Sequence, residues 1–130
     1  MKSEYIFANT QFESELTRLQ TIERIFDAAS RRRILATGIT TGWQCLEIGA
    51  GAGSIMRWMA EIVGTSGKVT AVDLDTRFIQ DTPLSNVEVI EADINQVTFA
   101  NSFDLIHIRN VLIHLKDPAV LTKIAKLLKP

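Results

Sequence analysis

The chain has a single cysteine, Cys45, and so can close no internal disulfide. Set in an apolar run, that thiol reads as buried and inert. There is no basic excess either: 14 Lys and Arg stand against 15 Asp and Glu, a net charge of −1, which removes any general attraction to nucleic acid or to an anionic membrane. No apolar run is long enough to span a bilayer, and Met1 to Thr10 lacks the basic-then-apolar order of a signal peptide. The expectation is a soluble, cytoplasmic protein. Two histidines and scattered acids have no metal-ligand spacing, so no metal site is expected. No Ser/His/Asp or Cys/His nucleophile arrangement stands out, and there are no repeats or low-complexity linkers. A length of 130 residues at 46% apolar composition fits one small domain with one core.

What the chain does contain is organised around Cys45-Leu46-Glu47-Ile48-Gly49-Ala50-Gly51-Ala52-Gly53-Ser54. A strand-like run ends in an acid, three glycines follow at alternate positions, and a helix-like run begins at Ile55. This is the opening of a nucleotide-type βαβ unit, where glycine permits a tight turn and lets a ligand approach the backbone. The dinucleotide fingerprint is G-x-G-x-x-G. Here the spacing is G-x-G-x-G, with Ser54 where that fingerprint has its third glycine. Glu47 would repel a pyrophosphate and attract an ammonium or sulfonium group.

Around this unit, Phe12, Leu16, Leu19, Ile22, Ile25, Phe26 and Ala29 recur at helical steps, which predicts an amphipathic helix over 11–29. Glu13, Glu15, Arg18, Glu23 and Arg24 are expected on its opposite side. Ser30 is the candidate cap of a short second helix through Arg31-Arg32-Arg33 that stops at Gly38, its arginines forming a solvated face. Trp43–Ile48, Lys68–Val72, Val87–Glu91 and Phe103–Ile108 read as strands. A short helical piece is expected at Arg77–Gln80, and a final helix starting at Asp117-Pro118 with Ala119, Leu121, Ile124, Leu127 and Leu128 as its apolar face. Strands alternating with helices give an α/β fold: a Rossmann-like parallel sheet in order 3-2-1-4 with flanking helices.

Acids punctuate the strand ends, where open α/β sheets bind ligands. Asp73 can accept both hydroxyls of a ribose, or alternatively cap a helix, a role Asp75 could take instead. Asp93 can accept from an adenine amine while the next N–H donates to a ring nitrogen; its alternative reading is a turn-forming Asp before a short helix.

Together these motifs resemble the class I S-adenosylmethionine-dependent methyltransferases: motif I at Glu47 to Gly53, the acids Asp73 and Asp93, the fourth-strand run Phe103-Asp104-Leu105-Ile106, and Val111 to Pro130 leading to the family's Lys-Pro-Gly-Gly turn. The resemblance is detailed over 40–130. It implies S-adenosyl-L-methionine as cofactor and contacts at Glu47, Gly49, Ala50, Gly51, Gly53, Asp73, Leu74, Asp93, Ile94, Ile108 and Arg109. It also implies an amino-terminal helical cap at 1–39, with Tyr5 or Phe7 near the site, over a cofactor-binding domain at 40–130.

The implied reaction is methyl transfer to a small-molecule acceptor, an in-line displacement in which positioning supplies most of the catalysis. If the acceptor must lose a proton, His107 or His114 is the candidate base. The family would continue past Pro130 with further strands. The expectation is therefore little turnover from this chain alone, and self-association through Phe103–Ile108 as an exposed strand edge. A cofactor-binding module without chemistry is the second reading, and an NAD-type oxidoreductase the third, disfavoured by Ser54 and Glu47.

Overall fold

The structure, a computed structural model, describes residues 2–108 and 119–130, with the side chains of the first helix from Thr10 onward. The order of elements is α1 (Lys2–Ala36), β1 (Gln44–Ile48), α2 (Ser54–Val63), β2 (Lys68–Asp73), β3 (Val87–Glu91), a 3₁₀ turn at Ile94–Gln96, β4 (Leu105–Ile108) and α3 (Ala119–Ala125). The four strands form one parallel sheet in the order β3-β2-β1-β4, as the crossover rule requires. The central strands β1 and β2 are almost wholly buried because both of their faces are covered, whereas the edge strand β3 alternates with the exposed Glu88 and Glu91. On one face Cys45, Val69, Ala71 and Leu105 pack with Ile55, Met56, Met59 and Val63 of α2 and Ile34 of α1. On the other, Leu46, Ile48 and Val72 pack with Ile94, Phe103 and, from α3, Val120 and Ile124.

Several local expectations are corrected. The two amino-terminal helices are one: α1 runs unbroken to Ala36, and Ser30, expected as a cap, lies buried inside it. Gly38 does end the helix, at φ +88°. The face of α1 turned inward follows Phe12, Leu16, Leu19, Glu23, Asp27, Ser30 and Ile34, so Ile25 and Phe26 point to solvent at 65% and 43% exposure while Glu23 points in. Arg77–Gln80 forms turns rather than a helix. In α3 the buried positions are Val120 and Ile124, whereas Leu121 and, beyond the end of the helix, Leu128 are exposed. The start of that helix at Asp117-Pro118 lies outside the described residues.

The fourth strand is shorter than expected, and its edge is partly closed. Phe103 bridges Leu128: its N–H donates to the Leu127 carbonyl at 2.8 Å, and its own carbonyl accepts from Lys129 N–H at 2.8 Å. The expectation of an open edge over the whole of Phe103–Ile108 is therefore wrong at Phe103, where a neighbouring segment takes the backbone groups that would recruit another chain.

Asp104 fastens this corner. Its carboxylate accepts from Gln44 N–H at 2.7 Å, at the start of β1, and from Lys129 Nζ at 3.1 Å. Burial alone would raise its pKa, but the Gln44 N–H and the Lys129 ammonium outweigh it and hold the group below its ordinary value. A carboxyl lowered on folding contributes stability that is complete above the unfolded-state value of about 3.9 and is lost as the pH falls towards the folded-state value. Urea midpoints measured from pH 6 down to pH 3 should fall less steeply for Asp104→Asn than for the wild type. Identical slopes would remove this role. Cys45 is fully buried, and burial first, then the Asp104 charge, pushes its thiol up to about 12, so it is inert at neutral pH as expected.

Candidate functional site

Three strand ends meet at the carboxyl edge of the sheet. At the end of β1 the chain turns through Gly49, Gly51 and Gly53, all at positive φ. Gly53 N–H donates to the Ala50 carbonyl at 2.9 Å, closing the turn onto α2, and Ala50 itself is buried. Adjacent to it, Asp73 ends β2. Its Oδ2 accepts from Gly51 N–H at 2.9 Å and its Oδ1 from Asp75 N–H at 3.2 Å. The second acid therefore reaches across and shapes the glycine turn, a link the sequence did not disclose. Asp75 does the local turn work, accepting from Arg77 N–H at 3.2 Å. Leu74, between the two acids, is 74% exposed.

At the end of β3, Asp93 takes up its alternative reading: its Oδ1 accepts from Asn95 N–H and Asn95 Nδ2, both at 2.9 Å, and caps the 3₁₀ turn. That use occupies one carboxylate oxygen and leaves the role of Oδ2 open. Ile94 points its side chain into the core, so only its backbone lies at the edge. Ile108 likewise packs on the α3 face of the sheet beside Ile48 and Ile106.

Glu47 and His107 face each other across the β1–β4 pair, on the α2 side of the sheet. His107 Nδ1 lies 3.8 Å from Glu47 Oε2, and the two side chains are only 14% and 5% exposed. His107 Nδ1 takes no hydrogen bond among the described residues. Arg109 and His114, expected at the cofactor and as a base, lie outside the described residues; the side chains of Tyr5 and Phe7 do too.

The part of the site that periodicity missed comes from α1. The N-cap of α2 is Gly53, which has no side chain to satisfy the first free N–H groups of that helix. Instead, Glu23 Oε2 accepts from Ser54 N–H at 2.9 Å and Asp27 Oδ2 from Ser54 Oγ at 2.6 Å. Two carboxylates from a helix 27 and 31 residues earlier thus sit where the helix dipole favours negative charge. Leu19 lies over the turn, 3.4 Å from where a Gly51 Cβ would stand. Phe12 rests on Phe78 with ring centroids 4.7 Å apart, and Arg77 lies over both rings. Beside Ser54, α1 also borders an open cleft of about 610 Å³ with Arg24 and Arg31 on its walls. None of Glu47, Asp73 or Asp93 lines it.

Among the described residues no cluster of His, Cys, Asp and Glu could hold a metal ion, and no helix is long and apolar enough to cross a membrane.

Comparison with known proteins agrees with this fold. Residues 45–130 match the family model of the methyltransferase domain. A probable cobalt-precorrin-6B C(15)-methyltransferase (decarboxylating) of Thermoplasma volcanium is 33% identical over 79 residues, 55% of this chain and 39% of its own length. The ubiquinone/menaquinone biosynthesis C-methyltransferase UbiE of Pseudomonas savastanoi pv. phaseolicola is 32% identical over 113 residues, 77% of this chain and 43% of its own. The chain thus spans about two-fifths of the length of these curated relatives. Among solved structures, the N-methyltransferase NodS of Bradyrhizobium japonicum WM9, in complex with S-adenosyl-L-homocysteine, superposes with a TM-score of 0.65 at 25% identity, covering 81% of this chain and 58% of that one.

Proposed function

The chain belongs to the class I S-adenosylmethionine-dependent methyltransferases, and from that premise we propose that it binds S-adenosyl-L-methionine across its three strand ends for methyl transfer to a small-molecule acceptor. When bound, this cofactor supplies an electrophilic methyl group on a sulfonium. The chain's own residues fit it. Asp73 would accept from the ribose hydroxyls, and the exposed Leu74 would offer an apolar surface for the adenine ring. Asp93 Oδ2 would accept from the adenine amine, and the buried carboxylate of Glu47 suits the cationic end. For an acceptor that must lose a proton, His107 is the candidate base, with Glu47 at 3.8 Å to stabilise the imidazolium that forms.

One observation carries the choice of ligand. In dinucleotide folds the pyrophosphate sits at the amino end of the first helix, on its free N–H groups. Here Glu23 and Asp27 already hold Ser54 at that place, with Glu47 behind the turn. A pyrophosphate would meet three carboxylates, whereas a ligand with a sulfonium and an ammonium meets attraction. Small-molecule acceptors are supported by the names of the curated relatives, which act in precorrin and quinone chemistry.

Titration calorimetry of the chain with S-adenosylhomocysteine and with NAD, side by side, tests the reading. Binding of the first and none of the second is expected; the reverse would discard the proposal. Light scattering on the same sample tests association through Leu105–Ile108, the part of the β4 edge that Leu128 does not cover.

A further inference from the structure

We infer that Lys123 is a positioning residue for adenine recognition, holding from α3 the turn that aims Asp93. The inference rests on the cofactor reading above and adds a residue to it. Lys123 Nζ donates to the Ile94 carbonyl at 2.9 Å and to the Asn95 carbonyl at 3.0 Å, across 29 and 28 residues of chain. Its own helix is fixed from below: Val120 and Ile124, three positions before and one after, are buried in the same cluster as Ile94. The ammonium therefore stands on a packed support and grips two successive carbonyls of a single 3₁₀ turn.

Such a turn needs that grip. Its own bonds all end on one residue: Gln96 N–H donates to the Asp93 carbonyl at 2.9 Å, and the Asp93 side chain caps the turn. The direction of the Asp93 carboxylate is set by Asn95, which gives both its N–H and its side-chain amide to Oδ1. Asn95 is in turn set by Lys123. Removing the lysine leaves Asn95 tied only to the group it is meant to aim, and the remaining oxygen of Asp93 loses a fixed direction. An amine at the edge of a purine is then recognised less well than before, while ribose contacts at Asp73 are untouched. The expected signature is a loss of base discrimination rather than a uniform loss of binding.

The test measures affinities for S-adenosylhomocysteine and for its S-inosyl analogue, which lacks the amine, in the wild type and in Lys123→Met, Lys123→Gln and Lys123→Arg, with a thermal melt of each. Lys123→Met should weaken adenosyl binding about tenfold and inosyl binding by less than about twofold, so that the preference shrinks. Lys123→Gln, which keeps a neutral donor, should fall between, and Lys123→Arg should recover most of the preference. Variants that melt earlier yet keep the wild-type adenosyl-to-inosyl ratio would show a structural prop only and overturn the inference while leaving the cofactor reading intact. A wild-type chain that binds neither ligand would overturn the reading and the inference together.

Discussion

Gly53→Val is expected to abolish binding of S-adenosylhomocysteine and to cost the fold a large part of its stability. Gly53 sits at φ +88°, a conformation in which a β-branched residue is a strained outlier. A Cβ there would also stand 2.7 Å from Ile79 Cγ2, 2.9 Å from Arg57 Nη1 and 3.1 Å from Met56 Cε. The arginine can swing away, but Ile79 and Met56 are fully buried and have nowhere to go. Backbone strain and overpacking together should destabilise by about 2–5 kcal/mol. The turn relieves the clash by shifting its backbone, and that disturbs the Gly51 N–H to Asp73 bond on which the ligand site is built. Urea unfolding and calorimetry on one preparation measure both effects. Gly51→Val makes the informative contrast, since its Cβ would meet Leu19 at an ordinary 3.4 Å. It should block the ligand with a smaller loss of stability. A folded Gly53→Val chain with wild-type affinity would refute the placement of the cofactor at this turn.

Asp73→Ala should weaken S-adenosylhomocysteine binding about ten- to a hundredfold, the value of hydrogen bonds to a charged acceptor at roughly 1.5–3 kcal/mol. The structure adds a second cause to the lost ribose contacts. Asp73 Oδ2 also holds Gly51 N–H at 2.9 Å, so the alanine variant frees the middle of the glycine turn. Asp73→Asn separates the two. Its amide oxygen can still accept from Gly51 N–H, but the charge and one acceptor are gone, so its affinity should lie between wild type and alanine. Unchanged affinity in Asp73→Ala would remove the ribose assignment.

Which parts of this were legible follows from the range of the forces involved. The glycine turn, the acids at the ends of β1, β2 and β3, and the strand order could all be read from the chain. They depend on neighbours a few residues apart: apolar runs that need two covered faces, glycines that alone accept positive φ, and a crossover of fixed hand. The turn-forming reading of Asp93 was legible because its partner, Asn95, lies two residues away.

Helix α1 shows where that reach ends. Hydrophobic spacing placed Phe12, Leu16 and Leu19 inside, where they lie, but it also placed Ile25 and Phe26 inside and Glu23 outside, and there the helix differs. The inward carboxylates meet the bare amino end of α2, whose Gly53 cap leaves Ser54 N–H to be satisfied by Glu23 and its hydroxyl by Asp27. That demand arises only when two helices meet, and no periodicity within either one encodes it. The same holds for Lys123 on the turn after β3, for Asp73 on Gly51, and for Leu128 at the edge beside Phe103. The sequence by itself determined the sheet, its glycine turn and the acids at its strand ends, because short-range sterics and burial of apolar strands decide them. Tertiary structure alone decided which polar groups cap, aim and cover those ends, because a hydrogen bond between distant segments exists only once packing has fixed their rotation and distance.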